Sequence, residues 1–439
     1  MSATVSTGRG ERAVPFAADP RVPGRDKLLD AREMTARLQR LMGEDGPVRI
    51  SRYGRGRVKY RIGESLRVVH DVRVAGSSCL VASRTFPDGR SQGVYERALA
   101  TAQPAGPLRG VAHDPELEAV FWTFPNDRKM ANLRALGPAS SAVSKLIGRP
   151  IGRTELAAYA PEKSATVACL DAVLRRPVAY AKVFVSAEEA AHAHRVHRDL
   201  FERLGTLDTG LRLPAVLGFA EDERMLVVEA LAGRRIDTVR GSERLGAMRA
   251  FGTALAALHE LPVDRDLPPF ERLAPSRQRA AAELIARARP DVAEAAGRLA
   301  DALEDRVSAP QVEPVCLHGD VHFKNGLLAH ERVSLIDLDQ GGLGPAAADV
   351  GSGVAKLRYQ SLITGDRRHV RLMEQALLDG YRSRRRPPAA EQLRWHIAAA
   401  LLSERALRAV NRIRHDGLAL LPAVLAEALA VLDDGAGQR

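Results

Sequence analysis

The stretch HGDVHFKNGLLAHERVSLIDLD, His318–Asp339, decides the fold that we predict for this chain. An apolar run, VCL, precedes it, a second one, VSLI, lies inside it, and each run ends in polar residues. The two runs predict strands whose ends bring Asp320, Asn325 and Asp337 close together. Mg²⁺ prefers carboxylate and amide oxygens, usually completed by phosphate oxygens. The stretch therefore predicts a site for one divalent cation and a phosphate group.

Composition limits the classes of protein to consider. A chain of 439 residues with 45% apolar and 27% charged residues predicts a soluble protein of about two to three domain-sized units. The net charge of +11 suits anionic partners, but no basic cluster is interleaved with aromatic residues, so nucleic acid is not expected. No apolar stretch is long enough for a bilayer and no apolar leader opens the chain, so we expect a cytoplasmic protein without membrane contact.

Hydrophobic periodicity divides the chain into β-rich and helical parts. The predicted segments are a mobile N-terminal segment with a short helix (1–45, its first 28 residues being the mobile part), an α+β domain (46–140), a second β-rich unit (150–233) and a helical part that contains the opening stretch (234–439).

The two β-rich segments share a pattern of residues. Tyr53 and the residues after it match Tyr159 and its successors, and SRTF (Ser83–Phe86) matches AKVF (Ala181–Phe184). In this alignment Arg84 occupies the place of Lys182. The pattern predicts that the first unit is a degenerate duplicate of the second; chance similarity of two β-rich pieces is the alternative.

The opening stretch resembles a known group of enzymes. His-Gly-Asp at His318–Asp320, Asn325 five residues after the Asp, and Ile336-Asp337 are similar to the motifs of the aminoglycoside phosphotransferase and choline kinase group. The resemblance covers residues 150–355 well and the helical tail loosely. It implies an α+β, bilobal protein-kinase-like fold, with a β-rich N-lobe at 150–233, a helical C-lobe at 234–439 and an extra N-terminal α+β domain.

The resemblance also implies roles in a reaction that uses ATP and Mg²⁺. Asp320 takes the place of the catalytic base that receives a hydroxyl proton, and Asn325 and Asp337 take the places of the Mg²⁺ ligands. The supporting residues are His318, which holds the loop, His322, a local hydrogen-bond partner or a contact to substrate, Asp339, an acid behind the metal site or a solvated side chain, and Asp349, which braces the loop.

The nucleotide needs a lysine, a partner for that lysine and a hinge. Lys182, in the strand-like run VAYAKVF just before a helix, takes the place of the lysine that pairs the α- and β-phosphates. Glu189 is the favoured partner for Lys182, although its position also fits a capping box with Ser186. The hinge whose backbone would contact adenine is predicted at Glu229, Ala230 and Leu231.

One feature departs from the protein-kinase pattern. The turn that should cover the phosphates, Tyr159–Ser164, contains no glycine. This departure favours an alternative function, a nucleotide-binding or regulatory module without phosphotransfer. The presence of Lys182, Asp320 and Asp337 favours an enzyme. The interval between Asp337 and Asp349 is too short to present a peptide, which argues against a protein substrate.

The acceptor is expected to be a small molecule with a hydroxyl group. Residues 356–439 contain fifteen Lys and Arg residues against nine Asp and Glu residues. This balance favours a neutral or anionic acceptor, such as a sugar, over a polycation. The sequence does not predict the oligomeric state.

Overall fold

The computed structural model describes residues 2–5, 14–137, 140–205, 207, 209–263, 267–306 and 313–434. A pair of antiparallel strands comes first, and a five-stranded antiparallel sheet with its helices follows. These elements, the first unit, are β1 (Ser2–Val5), β2 (Val14–Ala17), α1 (Arg25–Leu29), α2 (Ala31–Leu41), β3 (Ile50–Arg61), β4 (Ser65–Val74), β5 (Ser77–Thr85), α3 (Ser91–Leu99), β6 (Val111–Asp114) and β7 (Ala119–Thr123).

A second five-stranded antiparallel sheet, the second unit, follows a short helical connection. The connection is a 3₁₀ turn (Ala131–Leu136) and α4 (Ser141–Ile147), and the sheet comprises β8 (Ile151–Ala160), β9 (Ser164–Asp171), β10 (Pro177–Phe184), α5 (Ala187–Leu204), β11 (Val216–Ala220) and β12 (Met225–Glu229). Helix α5 begins where the Ser186 side chain accepts the N–H of Glu189, which satisfies one of the free donors of the first turn.

Helices dominate the rest of the chain, with two small sheets between them. The strands are β13 (Arg234–Arg235), β14 (Val315–Leu317), β15 (Gly326–Ala329), β16 (Arg332–Leu335) and β17 (Gly342–Gly344). The helices are α6 (Glu243–His259), α7 (Pro275–Ala288), α8 (Ala293–Asp305), α9 (Ala346–Thr364), α10 (Arg367–Arg382), α11 (Ala390–Ala400), α12 (Leu407–Arg412), α13 (His415–Ala419) and α14 (Leu421–Asp433), with 3₁₀ turns at Ile236–Thr238, Pro290–Val292 and Phe323–Asn325 and a π-helical segment at Leu401–Ala406.

The two large sheets have the same topology. Their strand orders are β3-β4-β5-β7-β6 and β8-β9-β10-β12-β11, and in each a helix follows the third strand. Two residues beyond Arg84 and Lys182, the N–H groups of Phe86 and Phe184 each donate to the carbonyl that precedes the fifth strand. Arg84 and Lys182 therefore occupy equivalent positions, and the duplicate predicted from the sequence has a structural counterpart.

One detail of the predicted alignment is wrong. Tyr60 pairs with Leu66 next to the β3–β4 turn, just as Tyr159 pairs with Ala165 next to the β8–β9 turn. Tyr60, and not Tyr53, is thus the equivalent of Tyr159. Strand β3 has 12 residues where β8 has 10, and both strands are bulged, so counting along the sequence did not identify the correct tyrosine.

The first unit packs against both other parts of the protein. One continuous cluster of buried apolar side chains runs from Phe16 and Met34 of the first unit to Leu401 and Leu425 of the helical part. Strand β3 lies against α12. A second cluster of buried apolar side chains joins the two large sheets. Its members include Val69, Ala82, Val143, Val167 and Val227. The first unit therefore lies beside the cleft between the second unit and the helices.

Part of the N-terminal segment that we expected to be mobile is packed. Phe16, Val22 and Leu28 are buried in the large cluster, because the segment presents apolar side chains to the first sheet. Residue 1 and residues 6–13 of the same expected segment lie outside the described residues.

Candidate active site

The loop after β14 is shaped by a glycine. Gly319 has a φ of +76°, and a Cβ atom on it would lie 1.8 Å from the carbonyl oxygen of Gln340. Only glycine fits this position. The turn brings the next residue, Asp320, to the cleft with its side chain 22% exposed.

Asp349, in the first turn of α9, holds this loop from behind. Its buried carboxylate accepts the N–H groups of His318 at 2.6 Å and Gly319 at 3.0 Å. His259 lies 3.2 Å from the same carboxylate and 2.9 Å from the hydroxyl of Tyr381. Burial would raise the pKa of Asp349, but His259 and the loop N–H groups outweigh burial and lower it. The structure thus places Asp349 where it fixes the loop and does not reach the cleft.

Two further contacts join the loop to the end of β16. The His318 ring is buried, and its Nε2 atom lies 3.0 Å from the carbonyl oxygen of Ile336. Asn325 donates from its side chain to the carbonyl of Asp320 at 3.1 Å, and its own carbonyl accepts the N–H of Ile336 at 2.9 Å. Because Asp337 follows Ile336 in the chain, Asn325 is a neighbour of Asp337. Asp337 has a φ of +65°, an uncommon backbone conformation that is found often at functional sites.

Asp320 is surrounded by cationic side chains. The Arg272 guanidinium donates to its carboxylate at 2.8 Å and to the carbonyl of Gly319 at 3.0 Å, and Arg408 lies 3.8 Å away. Burial would raise the pKa of Asp320, but Arg272, followed by Arg408, outweighs burial and holds the pKa well below its usual range. Asp320 is therefore ionised at neutral pH, as a proton acceptor must be.

His322 lies next to this carboxylate as a neutral ring. Its Nε2 atom is 3.8 Å from Asp320 and 2.9 Å from the Arg408 guanidinium, which donates to it. Burial, helped by the nearby Arg405, lowers the pKa of His322 to about 3. Of the two roles considered for His322, the structure shows the local hydrogen bond.

Lys182 reaches from β10 to the end of β16. Its Nζ atom lies 3.3 Å from the Asp337 carboxylate and also binds Asp339, which lies 3.3 Å from Nε2 of His197 on α5. Burial would lower the pKa of Lys182, but Asp339 and Asp337 outweigh burial and raise it. Asp339 is largely buried and forms an ion pair with Lys182. It is therefore not a solvated side chain.

The predicted pairing of Lys182 with Glu189 is wrong. Glu189 is exposed, and its backbone N–H donates to the Ser186 hydroxyl, while its carboxylate forms no hydrogen bond or ion pair with any of the described side chains. The residue of α5 that reaches the lysine's carboxylate partner is His197, eight residues later. At about 1.5 Å per residue this is roughly 12 Å further along the helix axis. The first turn of α5 therefore begins too far from the cleft for Glu189 to meet Lys182.

The predicted hinge lies at the end of β12. The N–H of Glu229 donates to Ala215 and that of Ala230 to Val178, so both are used by neighbouring strands. Within the described part of the chain, the N–H of Leu231 has no backbone partner. Leu231 is therefore the hinge donor that remains for a ligand.

The turn between β8 and β9 is held by the first unit. Glu162 lies in this turn with a φ of +56°, and its carboxylate is only 5% exposed. Arg128 donates to it at 2.7 Å, Arg84 forms a second ion pair, and Arg67 lies 3.4 Å away. The turn therefore has a fixed position although it contains no glycine.

Asp127 and Arg67 add hydrogen bonds to the same turn. The Asp127 carboxylate accepts the N–H of Glu162 at 2.9 Å and the hydroxyl of Tyr159 at 2.7 Å. Arg67 donates to the carbonyl of Pro161 at 2.9 Å. Burial would raise the pKa of Glu162, but Arg128 and the other two arginines outweigh it and lower the pKa. Glu162 is thus a permanent anion among three cations.

A π-helical segment directs further cations toward Asp320. The segment Leu401–Ala406 separates α11 from α12 and contains the buried Glu404 and Arg405. Glu404 lies 3.6 Å from the Arg272 guanidinium. Extra residues of this kind inside a helix change the direction of the side chains that follow, often at functional sites. Here Arg408, on the first turn of α12, points to the catalytic loop.

The cations continue beyond Arg408 into a cluster with few acids. Lys356 is next to Arg405 and Arg408, and burial together with these arginines lowers the pKa of Lys356 to about 8. Arg412 is next to Arg57 of β3, and burial together with Arg57 lowers the pKa of Arg412 to about 10. We call Arg57, Lys356, Arg405, Arg408 and Arg412 the acceptor-side cation cluster.

The side chains at the end of β16 suit a hard metal ion. Asp337 offers a carboxylate that is 39% exposed, and Asn325 beside it carries an amide oxygen. Among the described residues, no group of three or more His, Cys, Asp or Glu side chains forms a metal site. Mg²⁺ commonly binds one or two protein oxygens together with phosphate. The two residues therefore fit a Mg²⁺ ion that arrives with a nucleotide.

Sequence reasoning missed three residues of this site: His197, Arg272 and Arg408. Only His197 had a signal, because it lies at helical spacing with the small and apolar Ala193 and Leu200 on the buried face of α5. Arg272 and Arg408 lie 48 and 86–88 residues from their partners in the loop, and no local pattern marks them.

A catalytic loop with an aspartate, a strand lysine and an aspartate at the next strand end define a phosphotransferase with a protein-kinase-like fold. The chain belongs to the phosphotransferase enzyme family, whose sequence model matches residues 163–387, just over half of the chain. The resemblance that the motifs indicated is thus confirmed for the family. The first unit lies outside the matched residues.

Solved structures of aminoglycoside phosphotransferases are similar to this chain. An apo thermostable mutant of aminoglycoside phosphotransferase APH(4)-Ia is 16% identical, with a TM-score of 0.50, over 67% of this chain and 99% of that chain. Aminoglycoside phosphotransferase APH(3'')-Id from Streptomyces rimosus is 22% identical, with a TM-score of 0.42, over 57% and 92%. The first of these shows the protein-kinase-like fold. No curated protein matches the sequence.

None of the described helices is both long enough and apolar enough to cross a bilayer.

Proposed function

We propose that the protein transfers the γ-phosphoryl group of ATP, with Mg²⁺, to a hydroxyl group of a neutral or anionic small molecule. The observation that carries this proposal is the meeting of Lys182 with Asp337, at 3.3 Å, from two different parts of the fold. Asp337 directly follows Ile336, whose N–H bonds to the carbonyl of Asn325 in the loop that contains Asp320. Family membership supports the same reaction class.

Each residue has a role that follows from its charge and position. Lys182 binds phosphate oxygens when the nucleotide competes for its ammonium group, and Leu231 offers its N–H to the adenine edge. Asn325 and Asp337 would hold Mg²⁺, which neutralises phosphate charge when bound. Asp320 orients the acceptor hydroxyl and receives its proton. Catalysis then depends mainly on positioning and on charge neutralisation.

The sign of the acceptor charge follows from the cations near Asp320. Arg272 and Arg408 flank the carboxylate, and the acceptor-side cation cluster continues from Arg408. A polycation would be repelled there, whereas a sugar or an anionic metabolite would not. This arrangement supports the neutral or anionic acceptor over an aminoglycoside.

A panel of acceptors tests the proposal. ADP release would be measured with neutral sugars, sugar phosphates and aminoglycosides, and products would be identified by mass spectrometry. Asp320→Asn should lower kcat by about 10²–10⁴-fold while ATP binding is kept. Asp222→Asn, in the exposed β11–β12 turn, is the control. Near-normal turnover by Asp320→Asn on the best acceptor would refute the assigned role.

A second candidate function is nucleotide binding without phosphotransfer. The ion pairs Arg272–Asp320 and Lys182–Asp339 engage both functional side chains with partners from the chain itself, which suits a module that binds ATP as a signal. Calorimetry would then show Mg²⁺-dependent ATP binding, and no acceptor would be phosphorylated.

A further inference from the structure

A cavity of about 680 Å³ is lined by residues of the first unit and by Arg128. It opens between the end of β5 and the start of α3. Its arginine side chains are Arg21, Arg84, Arg90, Arg97 and Arg128. We call this cavity the arginine pocket. Its volume lies within the range of pockets that hold small-molecule ligands.

Cations outnumber acids in the walls of this pocket. The one acidic residue that lines it, Glu64, is paired with Arg61 at 3.4 Å. Asp88 lies near Arg21 and Arg90, at 3.4 and 3.8 Å, with all three side chains well exposed. In the described part of the chain, no ion pair or hydrogen bond engages the Arg97 guanidinium. The pocket therefore has a positive charge that its own acids do not balance.

The walls also orient the guanidinium groups. Arg84 and Arg128 stack over the ring of Phe86 at 5.1 and 5.7 Å from its centroid. The first turn of α3 contributes Gly93, and Gly89 precedes the helix with a φ of +68° and open space where a Cβ would be. Stacked guanidinium groups near helix N–H groups favour multidentate binding of phosphate.

From these features we propose that the arginine pocket binds a small molecule that carries two or more phosphate groups. Two cations stacked on Phe86 and three more among the lining residues match a ligand with separated anionic groups. The site is distinct from the nucleotide cleft, because Arg84 lies at the position of the first sheet that corresponds to Lys182 in the second.

Binding in this pocket acts on the β8–β9 turn. Arg84 and Arg128 line the pocket and at the same time hold the buried carboxylate of Glu162. A phosphate ligand competes with Glu162 for these two guanidinium groups. Ligand binding therefore loosens the turn, which, if the proposed function is correct, covers the phosphates of ATP.

Calorimetry with inorganic pyrophosphate, without nucleotide, tests the site on the full chain. Arg90→Gln/Arg97→Gln should weaken binding by about tenfold or more. Arg73→Gln, an exposed arginine on β4, is the matched control and should leave the affinity unchanged. Lys182→Met removes the phosphate-binding lysine of the cleft, so the binding that remains in this variant reports the arginine pocket and should keep its affinity within about twofold. The proposal is overturned if pyrophosphate does not bind, or if Lys182→Met abolishes binding while Arg90→Gln/Arg97→Gln has no effect.

Hydrogen exchange tests the link to the turn. Saturating pyrophosphate should speed amide exchange in a peptide covering residues 159–165 by roughly threefold or more, because the N–H of Glu162 loses its fixed position. The Arg90→Gln/Arg97→Gln variant should show no change at the same concentration. Unchanged or slower exchange in the wild type overturns the link. Neither readout needs phosphotransfer, so both remain valid if the proposed function fails.

Discussion

Asp320 is the residue on which the proposed chemistry depends, and it does not act in isolation. Arg272 binds its carboxylate at 2.8 Å, and Glu404 holds Arg272 on the other side at 3.6 Å. A carboxylate held by an arginine is well oriented but is a weaker base than a free one. Arg272 is therefore a positioning residue that orients the Asp320 carboxylate and lowers its basicity.

Replacing Arg272 by Gln should change the pH profile as well as the rate. Without the guanidinium, the pKa of Asp320 rises, so protonation begins at higher pH and the acid limb of kcat/KM moves upward in pH. The rate at neutral pH should fall roughly tenfold or more, because the carboxylate loses its orientation. Arg277→Gln, an exposed arginine nearby, is the control. Superimposable profiles for Arg272→Gln and the wild type would contradict this role.

The charged side chain of Lys356 should destabilise the folded protein. Its folded pKa of about 8 lies below the ordinary lysine value, so the charged form is disfavoured on folding. Lys356→Met should therefore raise the free energy of unfolding at pH 7 by about 1–3 kcal/mol. The unfolded state binds more protons above pH 8, so the wild type gains stability there and the difference between the two proteins shrinks. Urea unfolding at pH 7 and 9.5 measures both effects; a less stable variant would refute the reasoning.

At the scale of elements, the β8–β9 turn has a position that its own sequence does not explain. Three arginines and Asp127, all from before β8, bind its backbone and its buried glutamate. The turn and the first sheet therefore behave as one element. A kinase fold without the first unit would need another means to hold this turn.

Glu162→Gln tests this hold. The change leaves buried arginines without a counter-charge, which should cost about 3–5 kcal/mol of unfolding free energy. The KM for ATP should rise roughly 5- to 50-fold, because the turn no longer keeps its position over the phosphates, whereas the KM for the acceptor should change little. Glu155→Gln, an exposed glutamate on β8, is the matched control. Unchanged melting and kinetics would show that the ion pairs are without effect.

Local motifs predicted the catalytic loop, and long-range pairs escaped prediction. Asp320, Asn325 and Asp337 lie within one short stretch, so their spacing alone indicated a shared site. The pairing of Glu189 with Lys182 was predicted wrongly, because a glutamate early in a helix can either cap the helix or face the cleft, and the sequence does not distinguish the two. The partners of Glu162 lie 34 to 95 residues away, and nothing in the turn's own sequence indicates them.

At the scale of the whole molecule, the first unit and the helical part share one core. The large cluster extends from Phe16 to Leu432. The sequence predicted a separate N-terminal domain with the right class of structure, since strand and helix patterns are local. How that domain packs depends on contacts between distant segments, which periodicity does not encode.

A shared core predicts one cooperative unfolding transition. The chain has two tryptophans, Trp122 in the first unit and Trp395 in α11. Trp122→Phe and Trp395→Phe each leave one fluorescent reporter, and both variants should show the same unfolding midpoint. Leu425→Ala, in the core of the helical part, should cost about 2–5 kcal/mol and lower the midpoint seen by Trp122 as much as that seen by Trp395. Two separate midpoints would mean that the first unit folds independently.

The absence of glycine from the β8–β9 turn has a consequence for how this enzyme can vary. In a glycine-rich loop, the freedom of the backbone and the binding of phosphate reside in the same few residues, so neither changes alone. Here the restraint comes from Arg67 and Arg84 on another sheet and from Arg128 in the segment that follows it. Substitutions in the first unit can thus adjust the release of nucleotide while every residue of the catalytic half stays the same.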